Sequence, residues 1–275
     1  MGGPLSTHTK CDLRPAGNWT PDTCRGPSRE ASPPPWAVRA RPPEPDARRM
    51  DRSRHRTSIE DSLKRLGVDR LDIVWVHDIV QDFHGDVWLQ KFEEARTRAF
   101  RVLARLRDEG VIRGRGLGVN RTEPIELTLA LDEPQPDGFL LAGRYTLLDH
   151  EHALQRLPPP MAEEQDVSMV VGGPYSSGVL AGGTHFEYQQ APPEIVERVG
   201  QIKALAERYG VSIKAAALQF SLAHPVAVAA VPGATRPSRI AEDVAALNET
   251  VPAAFWEELR ALGLVSPAAP LPGGA

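Results

Sequence analysis

From Thr57 onward the chain alternates short apolar runs with longer segments in which apolar residues return every three or four positions. These are the periods of buried strands and amphipathic helices. Residues 58–66 read as a helix stopped by Gly67, and 71–78 (LDIVWVHD) as the buried strand that follows. The alternation then predicts a helix over 92–109 stopped by Gly110, a strand over 112–120 and a helix over 123–131. A third strand falls at 138–146, a broken helix around 150–165, and a fourth strand at 167–171. Helices over 194–209 and 212–223 lead to a fifth strand at 226–231, and helices over 237–247 and 252–262 close the series.

Apolar strands separated by helices imply parallel strands joined by right-handed crossovers. Five such units in succession suit either a doubly wound sheet or a (β/α)8 TIM barrel. No Gly-x-Gly-x-x-Gly follows an early strand, and Arg113-Gly114-Arg115-Gly116-Leu117-Gly118 lies within one, so the barrel is favoured. The expected fold is α/β: an incomplete TIM barrel with about five β/α units retained, preceded by a disordered leader.

Composition explains the leader. Residues 1–57 carry eleven Lys/Arg against six Asp/Glu, a net of +5, while the rest of the chain carries −9. Ten of the 26 prolines lie in that stretch, and Leu5, Leu13 and Val38 are its only Val, Ile or Leu residues. So little apolar surface does not offset chain entropy, and disorder is the expectation. The domain reading is a Pro/Arg-rich leader over 1–57, a barrel body over 58–265 and a disordered tail over 266–275. A secretory signal is excluded for want of an apolar core segment. A transit peptide and a basic arm remain open, although Pro33-Pro34-Pro35, the acidic residues and the scarcity of aromatics weigh against both.

Over the whole chain, 41% apolar and 25% charged residues describe an ordinary globular protein. No apolar run is long enough to span a membrane, and a net charge of −4 argues against general nucleic-acid binding. Cys11 and Cys24 are too few for a disulfide scaffold or a multi-cysteine zinc site, and read as reduced thiols of a cytoplasmic protein. His84, His150, His152, His185 and His224 show no metal-ligand spacing and read as surface or loop residues, so no metal site is expected.

Barrels gather chemistry at the C-terminal ends of their strands. His77 and Asp78 end the first strong strand. The histidine either exchanges a hydrogen bond with a substrate oxygen or merely caps the strand. The loop after the fourth strand, GGPYSSGVLAGG over 172–183, lets backbone approach a ligand closely, or is a flexible surface loop. The loop after the fifth strand runs through Gly233, Thr235, Arg236 and Pro237 into a helix, with Arg239 beside its start. Such a helix N-terminus is a natural phosphate seat. A phosphate-binding barrel isomerase or aldolase also fits the two loops, with Asp78 and Asp149 as weak candidate bases.

In order, 58–67 with 71–78, then 112–120, 172–180 and 231–243 resemble an aldo/keto reductase. The stretches LLAGRYTLLD (140–149) and VGGPYSSGVL (171–180) are similar to the family's aldose/fucose dehydrogenase branch. The resemblance covers about residues 57–265. It implies a (β/α)8 barrel and hydride transfer between NADP or NAD and a small-molecule carbonyl or sugar C1. By resemblance, His77 orients the substrate carbonyl and Asn120 holds the nicotinamide carboxamide. Ser176, Gly178 and Leu180 line the pyrophosphate loop. Gly233, Thr235 and Arg239 meet the adenosine phosphate region, with Glu242 and Asp243 near adenine.

Three positions depart from the wider family pattern. Ala142 stands where many members have glutamine, Gly172 replaces an aromatic that stacks on nicotinamide, and Gly233 replaces a lysine for the 2′-phosphate. Arg239 alone votes for NADP. Family members also use an Asp, a Tyr acid/base and a Lys from the first three barrel strands. The tyrosines here are Tyr145, Tyr175, Tyr188 and Tyr209, none upstream of Thr57, and no apolar strand is expected there. Lys10, in Ser6-Thr7-His8-Thr9-Lys10, is not assigned the lysine role for want of a strand before it. The expectation is a body lacking three β/α units. It would be catalytically inactive, or a non-catalytic dinucleotide-binding or scaffold remnant, and prone to self-association through open sheet edges.

Overall fold

The computed structural model describes residues 9–12, 53–131, 135–157 and 166–273. Each of the five expected strands is present. They are β2 (Ile73–His77), β3 (Gly114–Val119), β4 (Gly138–Ala142), β5 (Ser168–Gly172) and β8 (Ala227–Val231). With β1 (Thr9–Asp12) they form one sheet in the order β1-β2-β3-β4-β5-β8, every neighbouring pair parallel. The hairpin β6 (His185–Phe186) and β7 (Gln189–Gln190) stands apart from it. Among the described residues β1 and β8 do not pair, so the sheet remains open, an arc of a TIM-barrel-like α/β fold.

β1 corrects the expectation of a strandless leader. It pairs with β2 from Thr9↔Val74 to Asp12↔His77. Pairing here is between backbones, and four residues at a sheet edge need no apolar periodicity to signal them. Residues 1–8 and 13–52, where most of the expected leader falls, lie outside the described residues.

β3 shows why an Arg/Gly-rich segment becomes a buried strand. A Cβ at Gly116 would lie 1.9 Å from the Gly138 carbonyl oxygen and 2.7 Å from Cζ3 of Trp75. The glycine lets the Trp75 ring and the next strand close over it. All six residues of β3 are buried.

Helices α1 (Ser53–Leu66), α2 (Gln81–His84), α3 (Trp88–Glu94), α4 (Arg101–Asp108) and α5 (Glu123–Leu129) follow the predicted positions, except that α2 was not anticipated. A π-helical turn, Ala95–Phe100, joins α3 to α4. Phe100 thereby sits edge-on to Phe92, with ring centroids 6.1 Å apart. Then come α6 (Glu151–Arg156), α7 (Pro193–Tyr209), α8 (Ile213–Ser221), α9 (Pro237–Leu247) and α10 (Ala253–Ala261). α1 and α7 stop at Gly67 and Gly210, whose φ values of 66° and 64° suit a left-handed cap. α8 starts on Ser212, whose side chain accepts from the Ala215 N–H at 3.1 Å. No described helix is long and apolar enough to cross a membrane.

Trp256, Phe255, Phe220 and Tyr145 are the bulkiest fully buried side chains, in one apolar core with the strands. Two histidines expected at the surface belong to this core. His150 is 1% exposed and His224 3%, and both pack edge-on to aromatic rings, of Phe220 and Tyr145 respectively. Their ring nitrogens are engaged by backbone groups, some of them far away in the chain, so spacing alone does not reveal them. His150 Nδ1 meets the Thr146 carbonyl at 2.8 Å, and its Nε2 accepts from the Ser266 N–H at 3.0 Å. That second bond also corrects the expected disordered tail. Residues 266–273 fold back, Ala269 is buried, and its carbonyl accepts from Arg260 at 2.8 Å.

Candidate active site at the C-terminal rim

Parallel register brings the strand ends to one rim. His77 pairs with Gly118, Leu141 with Val171, Ala142 with Gly172, and Gly172 with Val231. The residues just beyond, Asp78, Asn120, Gly143, Gly173 and Pro232, therefore leave the sheet on the same side. His77 is the last residue of β2 and is partly buried. Its Nδ1 lies 3.0 Å from the Asp78 carboxylate, which fixes the plane of the ring. Asp78 takes a left-handed φ of 53° and its N–H donates to the Gly118 carbonyl, so the chain turns sharply out of the strand at the histidine.

Asn120 follows β3. Its Nδ2 reaches Asp82 at 3.4 Å, and its carbonyl accepts from Arg144 Nε at 2.8 Å. Its Oδ1 is buried without a hydrogen-bond partner. A stranded acceptor is costly, and a ligand donor such as a carboxamide NH2 would satisfy it. Asn120 is one of the residues lining a cleft of about 320 Å³, with Asp82, Arg144, Ser176, Ser177 and Tyr188 among the others. That volume lies at the small end of ligand-sized pockets. Arg144, one of the lining residues, bridges Asp149 at 2.7 Å and Glu187 of the β6–β7 turn. Burial works against the guanidinium charge, but the two carboxylates outweigh it and hold its pKa above the ordinary arginine value.

The loop after β5 is strained. Ser176, Ser177 and Gly178 have φ of 49°, 58° and 100°, three left-handed residues in a row, two of them not glycine. Each such non-glycine residue costs on the order of 1–3 kcal/mol and persists only where its surroundings over-determine it. Here they do. The Tyr175 carbonyl accepts from the Gly178 and Leu180 amides at 2.9 and 3.2 Å, and Ser176 Oγ donates to Thr146 Oγ1 at 2.9 Å. Leu180, expected to line the loop, has a fully buried side chain that anchors the loop to the core. Gly172 leaves little room for an aromatic ring, since a Cβ there would lie 3.2 Å from Leu140 Cδ2.

Beyond β8, Gly233, Thr235 and Arg239 are exposed before and within the first turn of α9. The acidic pair behind them is already engaged. Glu242 meets Arg236 at 3.1 Å and Lys214 at 3.4 Å, whereas buried Asp243 meets Lys214 at 2.8 Å. Asp243 also accepts from the Tyr175 hydroxyl at 2.7 Å. Burial opposes its charge, but these two donors prevail and hold its pKa below the usual carboxylate range. Burial and the neighbouring carboxylate push the Tyr175 hydroxyl well above the ordinary tyrosine value.

Asn120 and Ser176 thus meet in one cleft. The loop after β5 meets the middle of α9 through Tyr175 and Asp243, whereas His77 is not among the cleft-lining residues. Arg144, Glu187, Tyr188 and Lys214 were not picked out as site residues. For Arg144 a signal existed: a lone charge inside the apolar run 139–148.

An open arc of parallel strands with a stranded carboxamide acceptor and two glycine-bearing loops on one rim defines a protein of the TIM-barrel-like α/β class, in which ligand sites gather at the strand C-termini. The Aldo/keto reductase family pattern matches residues 9–263, β1 included, and the chain belongs to that family of oxidoreductases, whose cofactor is NAD(P). It is 38% identical over 216 residues to pyridoxal 4-dehydrogenase of Microbacterium luteolum, covering 76% of this chain and 61% of that protein. It is 32% identical over 215 residues to D-threo-aldose 1-dehydrogenase of a Pseudomonas species, covering 76% and 62%. The chain thus spans about three fifths of the length of these curated relatives. The fold is that of the holo aldo-keto reductase of Bacillus halodurans, with a TM-score of 0.53 at 24% identity, covering 77% of this chain and 67% of that one.

Proposed function

We propose that this chain binds NADP or NAD along the rim and acts in oxidoreduction of a small carbonyl compound or a sugar at C1, within the aldose dehydrogenase branch. The observation that carries this reading is the buried, partnerless Asn120 Oδ1 beside the strained Ser176–Gly178 turn. When bound, the dinucleotide supplies the hydride-exchanging ring. The residues present fit it. Asn120 Oδ1 would accept from the carboxamide, and Ser176, Gly178 and the Leu180 backbone would border the pyrophosphate. Gly233, Thr235 and Arg239 would meet the adenosine phosphate, with Glu242 and Asp243 behind it toward adenine. Exposed Arg239 supports NADP over NAD. His77, its ring held by Asp78, would orient the substrate carbonyl. The relatives' names, pyridoxal 4-dehydrogenase and D-threo-aldose 1-dehydrogenase, support an aldehyde or an aldose as substrate.

A second reading, a non-catalytic dinucleotide-binding member of the family, is favoured by the placement of the tyrosines. Tyr145 is buried against Phe220 and His224, Tyr175 is bound to Asp243 and Tyr209 to Glu258, while Tyr188 lines the cleft that His77 does not. A missing proton donor lowers turnover by about 10²–10⁴-fold. Assay of the chain with NAD and NADP on aldoses and aromatic aldehydes separates the readings. Turnover abolished by His77→Ala supports the enzyme; saturable binding without turnover supports the second reading. The two cysteines support a cytoplasmic setting. Among the described residues β1 and β8 have no partner on their outer edges, and Val228 of β8 is exposed; this supports self-association, and sedimentation that shows only monomer at 100-fold dilution and at full concentration alike would exclude it.

A further inference from the structure

Three side chains from three elements converge between the two ligand loops. Tyr175 immediately precedes the strained turn, Lys214 lies in the first turn of α8, and Asp243 lies mid-way along α9. The Tyr175 hydroxyl and the Lys214 ammonium both bind Oδ1 of Asp243, at 2.7 and 2.8 Å, and the ammonium sits 5.4 Å from the centre of the Tyr175 ring. A single carboxylate oxygen thus receives two donors in a site where Asp243 is 8% and Tyr175 7% exposed. The same tyrosine holds the turn from its other end, because its carbonyl accepts the Gly178 and Leu180 amides.

We infer that Tyr175, Asp243 and Lys214 form a clasp that presets the loop after β5 and ties it to α9, so that the two loops act as one binding unit. This rests on the reading that those loops share a dinucleotide. Asp243 then serves as a positioning residue that acts through Tyr175, and its carboxylate is not spare for reading an adenine edge. Left-handed conformation at Ser176 and Ser177 is not self-sustaining, and the clasp contributes to over-determining it. A ligand that touches both loops gains from their fixed spacing, because less ordering is needed on binding. A ligand that touches only the α9 side does not.

The test uses Tyr175→Phe, which keeps the buried ring, together with Asp243→Asn and Lys214→Met. Hydrogen exchange without ligand reads the clasp directly. Exchange at the Gly178 and Leu180 amides is expected to quicken about tenfold or more in Tyr175→Phe and Asp243→Asn, with the β2 to β5 amides unchanged. Unchanged exchange in both variants overturns the clasp, whatever the chain binds. Titration with NADP and with adenosine 2′,5′-bisphosphate then reads the coupling. NADP affinity is expected to fall about tenfold in both variants, and that of the bisphosphate less than twofold. Equal losses for the two ligands would show a general structural role and overturn the coupling. Faster loop exchange in the two variants, with a wild-type chain that binds no dinucleotide, would leave the clasp standing and sink the functional reading instead.

Discussion

The two core histidines make stability fall on mild acidification. His150 gives a proton to the Thr146 carbonyl through Nδ1 and accepts the Ser266 N–H on Nε2, so its neutral form is the one that fits. Protonation would set Nε2–H against Ser266 N–H and release the 266–273 return. His224 likewise accepts the Val226 N–H on Nδ1 at 3.4 Å. Burial is the main cause that lowers both pKa values; hydrogen bonding to the Thr146 and Leu157 carbonyls opposes it without prevailing. A histidine with a depressed native pKa takes up its proton first in the unfolded chain, at about pH 6.5. Stability is therefore whole above that pH and is lost as pH falls toward the native values. The slope reaches at most about 1.4 kcal/mol per pH unit for each histidine, about 2.7 for the pair. The carboxylates with lowered pKa among the described residues, Glu93, Glu242, Asp243 and Glu258, act only from the unfolded carboxylate range downward, near pH 4, so the window from pH 6.5 to 5 separates the histidines from them. Urea unfolding at half-unit steps across that window measures the slope. His150→Gln retains one donor and one acceptor and should remove about half of it. A wild-type profile that is flat from pH 7 to 5 would refute the reasoning.

Two further substitutions probe the framework. Gly116→Ala places a methyl 1.9 Å from the Gly138 carbonyl oxygen, so the β3–β4 pair must part. Overpacking of this kind costs about 1–3 kcal/mol or more, read as a lower urea midpoint, and an unchanged midpoint would show that the strands give way freely. Ser212→Ala removes the cap on α8 and should cost about 1 kcal/mol, with Ser212→Asp restoring most of it in thermal melts.

Much of the body was legible in the sequence because buried parallel strands announce themselves. IVWVH, GFLLA and SMVVG are continuous apolar or small runs flanked by helical periods. β1 was not legible, since its evidence is backbone pairing with β2 and not side-chain pattern. The burial of His150 and His224 was hidden for a related reason: each is made tolerable by backbone partners as distant as Ser266, which no local window reveals. At the site, glycines and serines singled out the loop after β5, but not which of its atoms would be engaged within the protein. Leu180 proved to be core. Asp243 had the acidity expected near a ligand, yet its charge is committed to Lys214 and Tyr175, 29 and 68 positions away in the chain.

The account stands most directly on dinucleotide binding at the rim. Titration of the full chain with NADP and with NAD, followed by calorimetry, should show one saturable site below about 1 mM, the common upper range for cofactor and substrate constants. Asn120→Ala should weaken it about tenfold, because the ligand's N–H donor loses the buried Oδ1 that accepts it. Neither dinucleotide binding at millimolar concentration, or binding that Asn120→Ala leaves untouched, would contradict the assignment of this rim.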